Sequence, residues 1–416
     1  MFLPIQINDF DDRRIRIFAI NLFFSVFCIS LVACGGGGGG SASPPPVNNP
    51  PPSSGTIGSL YSDATANLPN GLPGRCMDAD AKDVDGDNDL DLILAFEFGR
   101  NVILLNDGNA NFTVSDSFTS ILRDSEDLTV NDFDNDGDLD VLFVTEDDLI
   151  NEFYLNNGDG SFTDESNRIP VEGISNAVVA FDVNNDSLTD IIIGNNGPNV
   201  LLLNTGGANF LDDSANSNFG AGVTQDLEVG DLDNDGDLDL VVGNETQNLV
   251  FINNNDGTFS DESTVRFPGV LAETRDLELG DIDNDGDLDI LVSNVTFFST
   301  FLNGNYMLIN DGNGVFTRDA NFSMTGNHVD SDFVDLDRDG DLDIISGTAE
   351  LSGGIGAVQV LENDGSGVFT GESFGGQGNV FDITAADFNG DNKVDLHFCN
   401  RQTGDGGGQD LLYLAN

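Results

Sequence analysis

Five aspartates occupy alternate places of the nine-residue run at 231–239, DLDNDGDLD, around a glycine at its sixth place. Carboxylates held this close repel one another, and a shared cation turns that repulsion into attraction. The run recurs almost letter for letter at 132–140, 281–289 and 335–343, with looser copies starting at Asp83, Asp182 and Asp387. The candidate ligands are therefore Asp83, Asp85, Asp87, Asp89 and Asp91 in copy one, and Asp132, Asp134, Asp136, Asp138 and Asp140 in copy two. Copy three offers Asp182, Asn184, Asp186, Leu188 and Asp190; copy four Asp231, Asp233, Asp235, Asp237 and Asp239; copy five Asp281, Asp283, Asp285, Asp287 and Asp289. Copies six and seven offer Asp335, Asp337, Asp339, Asp341 and Asp343, then Asp387, Asn389, Asp391, Lys393 and Asp395.

Comparing the copies separates the places. The first, fifth and ninth are Asp in every copy, and the third is Asp or Asn, which both offer an oxygen. The seventh accepts Leu188 and Lys393, so it serves through its main-chain carbonyl. The sixth is Gly or Asn except for Ser187, as a positive φ requires. An all-oxygen set of this size suits calcium; magnesium resists an all-protein cage, and zinc prefers His and Cys. Up to seven calcium ions are expected. The third copy departs most, and there an aspartate turn without metal is the alternative. No EF-hand is present, because Phe143, Val242 and Val292 stand at the twelfth place where that motif needs a glutamate.

The elements that must hold these loops are short strands. The first places fall at 83, 132, 182, 231, 281, 335 and 387, a period near 50 that marks a repeat architecture. In the fourth repeat, residues 223–230 (VTQDLEVG), 238–243 (LDLVVG), 248–253 (NLVFIN) and 258–263 (TFSDES) read as four strands, with a turn at 254–257. Four strands per repeat predict a propeller blade, and a β-solenoid, the alternative, uses shorter repeats. The expected fold is all-β, a seven-bladed propeller over 57–416. The last repeat stops at its third strand, LLYLAN, whereas Tyr61-Ser62-Asp63 matches the fourth strands of other repeats. Residues 57–65 are therefore expected to pair beside 410–415 and close the ring.

The loops, together with segments such as Asn310-Asp311-Gly312-Asn313-Gly314-Val315-Phe316-Thr317, resemble FG-GAP/VCBS repeat proteins, including the integrin α-subunit propeller. The resemblance implies a calcium-binding propeller whose ions sit on places 1, 3, 5, 7 and 9. It leaves function open, because this architecture hosts adhesins, lectins and a few polysaccharide lyases.

The net charge of −59 accompanies 39% hydrophobic residues and 31 Phe, so the chain can bury a core and carry its acid on loops. With 14 Lys and Arg and no basic patch, nucleic acid is excluded as an expected partner. Residues 1–34 read as an export signal: Arg13, Arg14 and Arg16, an apolar run at 17–29, then Leu31-Val32-Ala33-Cys34. This end resembles a bacterial lipobox, which implies lipidation of Cys34 and a place in the envelope, at the outer membrane, the cell surface or facing the periplasm. A single membrane-spanning anchor is the alternative. Residues 35–56, rich in Gly and Pro, form a tether of about 25 Å.

Cys76 and Cys399 flank the first and last loops, neighbours in a closed ring; they are either a disulfide or two small buried apolar residues. His328 and His397 have no nucleophile at a recognisable spacing, and no phosphate loop or nucleophile elbow is present. No catalytic residue is assigned and no enzyme is expected. Connections between second and third strands lie opposite the acidic loops, and are longest at 294–305, 348–356 and 400–409. The first holds Phe297, Phe298 and Phe301, which either contact a partner or fold back onto the ring. The expectation is a monomeric binding or adhesion module for an unidentified protein or glycan, touching the membrane only through its lipid. A calcium-dependent lectin is the alternative, disfavoured by the absence of Trp, and a polysaccharide-cleaving enzyme comes behind it.

Overall fold

The computed structural model describes residues 57–416, apart from 73–74, 116–117, 119–120, 147–148, 298–303, 351–355 and 402–407. The expected signal with Cys34, the tether, and Phe298 and Phe301 lie outside the described residues.

Twenty-eight strands form seven antiparallel sheets of four. In blade four the strands are Thr224–Gly230, Asp239–Asn244, Leu249–Asn253 and Phe259–Asp261, within two residues of the expected bounds. The acidic run joins the first strand to the second in every blade. The seven first strands pack one against the next around a common axis, and the last packs against the first, so the ring is closed.

Burial falls from the axis outward. Second strands such as Asp91–Glu97 (DLILAFE) are buried at every residue because a neighbouring blade covers each face, and they read as nearly continuous apolar runs. Fourth strands such as Phe259–Asp261 are partly exposed. An apolar cluster fills each of the seven gaps. Between blades three and four, for example, Ile192 and Leu201 meet Leu227, Leu240, Val242 and Phe251. Among the described residues the apolar core is divided between adjacent blades rather than gathered at one centre.

Closure follows the expected pattern with one correction. Tyr61–Asp63 pairs antiparallel with Leu411–Ala415, in the register Tyr61 to Ala415, Ser62 to Leu414 and Asp63 to Tyr413. Ile57–Leu60 does not extend that strand. It forms a 3-10 turn, with Ile57 buried against blade six and its N–H donated to Glu372 Oε2. The apolar contact made by Ile57 is better satisfied by folding under the neighbouring blade than by continuing an outer edge. Cys76 and Cys399 form a disulfide between the first strand of blade one and the second strand of blade seven, with a Cα separation of 5.0 Å.

Candidate metal centres on the loop face

Each acidic run is wound into the same hydrogen-bonded turn. In copy four, Asp231 Oδ1 accepts the N–H of Asp235 at 3.1 Å and its Oδ2 that of Gly236 at 3.1 Å, while Asp235 Oδ1 accepts the N–H of Asp237. Copies one, two, three, five and seven share the first two bonds, and copy six keeps the second, from the N–H of Gly340 to Asp335 Oδ2. The first and fifth places are thus fixed as aspartates partly because they cap the main chain of their own loop.

The ninth-place aspartates have a role that the spacing alone does not show. Asp239 Oδ2 accepts the N–H of Leu232 at 3.0 Å, and its Oδ1 accepts the N–H of Asn253 at the end of the third strand at 2.9 Å. The Asn253 amide then reaches the preceding blade at Val183 O. Asn106, Asn156, Asn204, Asn310 and Asn363 repeat this staple onto Phe388 O, Val84 O, Phe133 O, Leu232 O and Ile282 O. In blade seven Ala415 replaces the asparagine, and the carbonyl left over, Leu336 O, lies 3.4 Å from the hydroxyl of Tyr61. The signal for these asparagines was in the sequence, at the end of six of the seven third strands, but they read there only as strand ends and turn residues.

The main chain also differs from expectation at the fourth place. Both the fourth and sixth places take a positive φ: Asn234 at 62° and Gly236 at 97°, Asn185 at 60° and Ser187 at 69°. Gly or Asn stands at the fourth place in six copies and Arg338 in the other, a pattern legible in the sequence. In copies one, two, five and six the seventh-place aspartate lies against the outer turn of its own blade, while Lys393 bonds Asp391 within its loop. A Cβ on Gly158 would stand 2.5 Å from Asp138 Oδ2. The same turn reaches the previous blade, where a Cβ on Gly160 would meet Asp85.

Oxygens of Asp83, Asp85 and Asp91, of Asp132, Asp134 and Asp136, and of Asp231, Asp233 and Asp239 lie within 4.8 Å of one another. Two ligands of one calcium ion stand at most about 5 Å apart, twice the metal–oxygen distance. At the third place Asp233 Oδ1, Asp283 Oδ1 and Asn184 Oδ1 are buried without a protein partner, as is Asp335 Oδ1 at a first place. Asp233 gives its other oxygen to Arg266 at 3.0 Å. Burial pushes the ninth-place carboxyls up, Asp239 to about 7 and Asp343 to about 8, opposed by the main-chain N–H groups they accept. Orphaned oxygens, converging carboxylates and a costly burial of charge all fit a dication. Places 1, 3, 5 and 9 would supply side-chain oxygens and place 7 its carbonyl, and the ion would supply the counter-charge that binds the loop together.

Blade three has the same backbone with fewer charges: Asn184, Ser187 and Leu188 replace an acid, a glycine and an acid. Asp186→Ala is expected to cost less stability in calcium than Asp235→Ala, by about 1 kcal/mol or more, because a weaker ion is lost and the Ser187 turn is already strained. Denaturant titration of both variants in calcium checks this; equal losses count against graded sites.

The other residues singled out in the sequence are placed as follows. His328 is buried, with Nδ1 2.6 Å from Ser346 Oγ, and burial lowers its pKa to about 4. His397 is buried with Nε2 3.8 Å from Asp410 Oδ2. Phe297 is half-buried. On the face opposite the loops, the exposed apolar residues include Phe98 (52% exposed), Ile121, Leu122 (65%), Leu149 (44%) and Ile150, with Leu271 exposed beside blade four. Phe98 and Leu149 hold φ of 54° and 58°, an unfavourable conformation for bulky residues. They escaped sequence reading because isolated apolar residues in short connections carry no periodic signal.

A ring of seven four-stranded blades with one acidic loop per blade defines a repeat β-propeller. Residues 83–143, 132–193, 182–242 and 231–292 each match the FG-GAP-like repeat, together just over half of the chain, and the protein belongs to that family. No curated protein matches the sequence. Among solved structures, BBS1N in complex with ARL6DN is similar: the mercury-soaked crystal gives a TM-score of 0.55 at 12% identity, covering 85% of this chain and 96% of that one. The lead-soaked crystal gives 0.54 at 11%, with the same coverage. A structure of an Agrocybe aegerita lectin, on recognition of non-reducing terminal N-acetylglucosamine, gives 0.48 at 18%, covering 75% and 83%. At these identities the likeness concerns the fold.

Proposed function

We propose that this protein is an exported, calcium-loaded binding module, held at the cell envelope by a lipid on Cys34, whose face opposite the calcium loops docks a protein ligand. It acts by binding and catalyses nothing. The observation that carries the docking reading is the group of exposed apolar tips on blades one and two. Gly99 and Arg123 exchange main-chain hydrogen bonds, and Arg123 bonds Glu152 at 3.0 Å, so Phe98, Leu122 and Ile150 flank one tied segment. Beside them lies a cavity of about 240 Å³, lined in part by Leu149, Ile150, Ile169 and Val171. The second-to-third connections of blades three and four are polar, Asn196-Gly197 and Glu245-Thr246-Gln247, and only Leu271, bridged to Gln247, adds a single exposed apolar side chain there among the described residues. Bulky apolar residues held exposed in a strained conformation cost on the order of 1–3 kcal/mol each, which a binding role explains. BBS1N, a propeller of similar fold, is itself seen in complex with ARL6DN.

The test is an array of envelope and extracellular proteins probed beside a glycan array, with the calcium-loaded chain and the variant Phe98→Ser/Leu122→Ser/Leu149→Ser. The expected result is binding to a protein that falls about thirtyfold or more in the variant, as for an interface hot spot. Binding to glycans alone, unchanged in the variant, would overturn the reading in favour of a lectin.

A further inference from the structure

The seven innermost strands share a second repeated device. Each has a β-bulge at the same point, where register shifts between Cys76 and Asp78, Ser125 and Asp127, Ser175 and Ala177, Thr224 and Asp226, Thr274 and Asp276, His328 and Asp330, and Val380 and Asp382. A bulge re-aims the side chains beside it. The residue after it is aspartate in six blades, all buried around the axis. One oxygen has a structural task in several of them: Asp78, Asp127 and Asp226 accept the N–H groups of Leu128, Val178 and Leu277 on the inner strand of the next blade, at 2.7–2.8 Å. Those bonds satisfy the inner edge of the ring and account for one oxygen each.

Asp127 Oδ1 also accepts the N–H of Leu128, and Asp382 Oδ2 the hydroxyl of Thr384, but oxygens of the other axial aspartates are unaccounted for. Asp226 Oδ1, Asp276 Oδ2 and Asp330 Oδ2 are buried with no protein partner. Two residues further along, blades four and six add Glu228 Oε1 and Asp332 Oδ2 in the same condition. Neighbouring cations do not serve them: Arg275 is bound to Gln225, Glu245 and Glu273, and Arg401 to Glu97. A separate observation comes from blade three, the one blade with alanine in place of the aspartate. Its bulge residue Asn176 is 1% exposed and donates Nδ2 to Thr224 O on the inner strand of blade four, which leaves Oδ1 without a partner. Carboxylates crowded on an axis could relieve one another by taking up protons. An amide oxygen cannot, so a bare one beside the ring points to a ligand that brings positive charge or donors.

We propose that the propeller axis is a further cation site, separate from the acidic loops, which takes a partly hydrated divalent metal ion between Asp226, Asp276, Asp330, Asp332 and Glu228, with Asn176 beside it. Each residue offers one free oxygen, and the five come from the inner strands of three successive blades, an arrangement that suits an ion keeping part of its water.

The experiment is anomalous diffraction from crystals of the full chain soaked in manganese chloride, with native mass spectrometry of the same protein. A peak on the axis at blades four to six, besides peaks in the loops, is expected. Asp226→Asn/Asp276→Asn/Asp330→Asn should then lose one manganese per chain and keep the loop ions, which also reports that it is folded. Loop peaks without an axial peak would overturn this proposal and leave the loop sites standing; an axial peak without loop peaks would do the reverse. An axial peak that survives in the triple variant would also overturn it, as an adventitious ion only.

Discussion

Chelation of calcium is expected to lower the melting temperature of the domain by well over ten degrees. Each ion that binds only the folded state adds RT ln(1 + [L]/Kd), about 2.7 kcal/mol at a hundredfold excess over Kd. Five occupied loops would then add about 13 kcal/mol, comparable to the whole stability of an ordinary domain. A described region of roughly 360 residues unfolds with an entropy near 0.75 kcal/mol per degree, so that loss corresponds to roughly 18 °C. The geometry supplies the reason the effect is large. The loops bond to the outer turns of their own blade and, through the third-strand asparagines, to the blade before. A loop that loosens without its ion therefore loosens two blades. Differential scanning calorimetry in calcium and in a chelator, at fixed ionic strength, measures the effect. An unchanged melting temperature would remove calcium from the account.

Cutting the clasp is the second large effect. Deletion of residues 57–65 is expected to destabilise the entire ring, by 5 kcal/mol or more, whereas deletion of 35–54 leaves the melting temperature unchanged. The clasp contributes a strand on an open edge, the buried side chains of Ile57 and Tyr61, and the hydroxyl near Leu336 O. Tyr61 also packs against Phe374, with ring centroids 5.4 Å apart. Two milder changes grade the claim. Tyr61→Ala should cost roughly 3 kcal/mol for the lost burial, and Tyr61→Phe about 1 kcal/mol for the lost hydrogen bond. Reduction of the bond between Cys76 and Cys399, at a sequence separation of 323, should cost roughly 6 kcal/mol on the chain-entropy scale. Chemical denaturation of each variant gives these figures, and two deletions of equal effect would show that the ring closes without the clasp.

The sequence by itself determined the repeat, the number of blades, the face that bears the acidic loops, and the strand that completes the last blade. These are local or periodic facts. An acid at alternate places, a turn residue at the sixth, and an apolar run of six residues can each be read without knowing what they touch. The match of Tyr61-Ser62-Asp63 to the other fourth strands is of the same kind.

Three matters were decided only by the tertiary structure. The ninth-place aspartate and the third-strand asparagine form one staple between blades, because residues such as Asn253 and Val183, 70 positions apart, meet only when the ring closes. Ile57–Leu60 leaves the sheet because a neighbouring blade offers its apolar side chain a buried site. The axial carboxylates converge because seven bulges, each an unremarkable irregularity in its own strand, are brought to a common axis. A single strand shows an aspartate among apolar residues, and the crowding of buried carboxylates exists only once six such strands stand side by side.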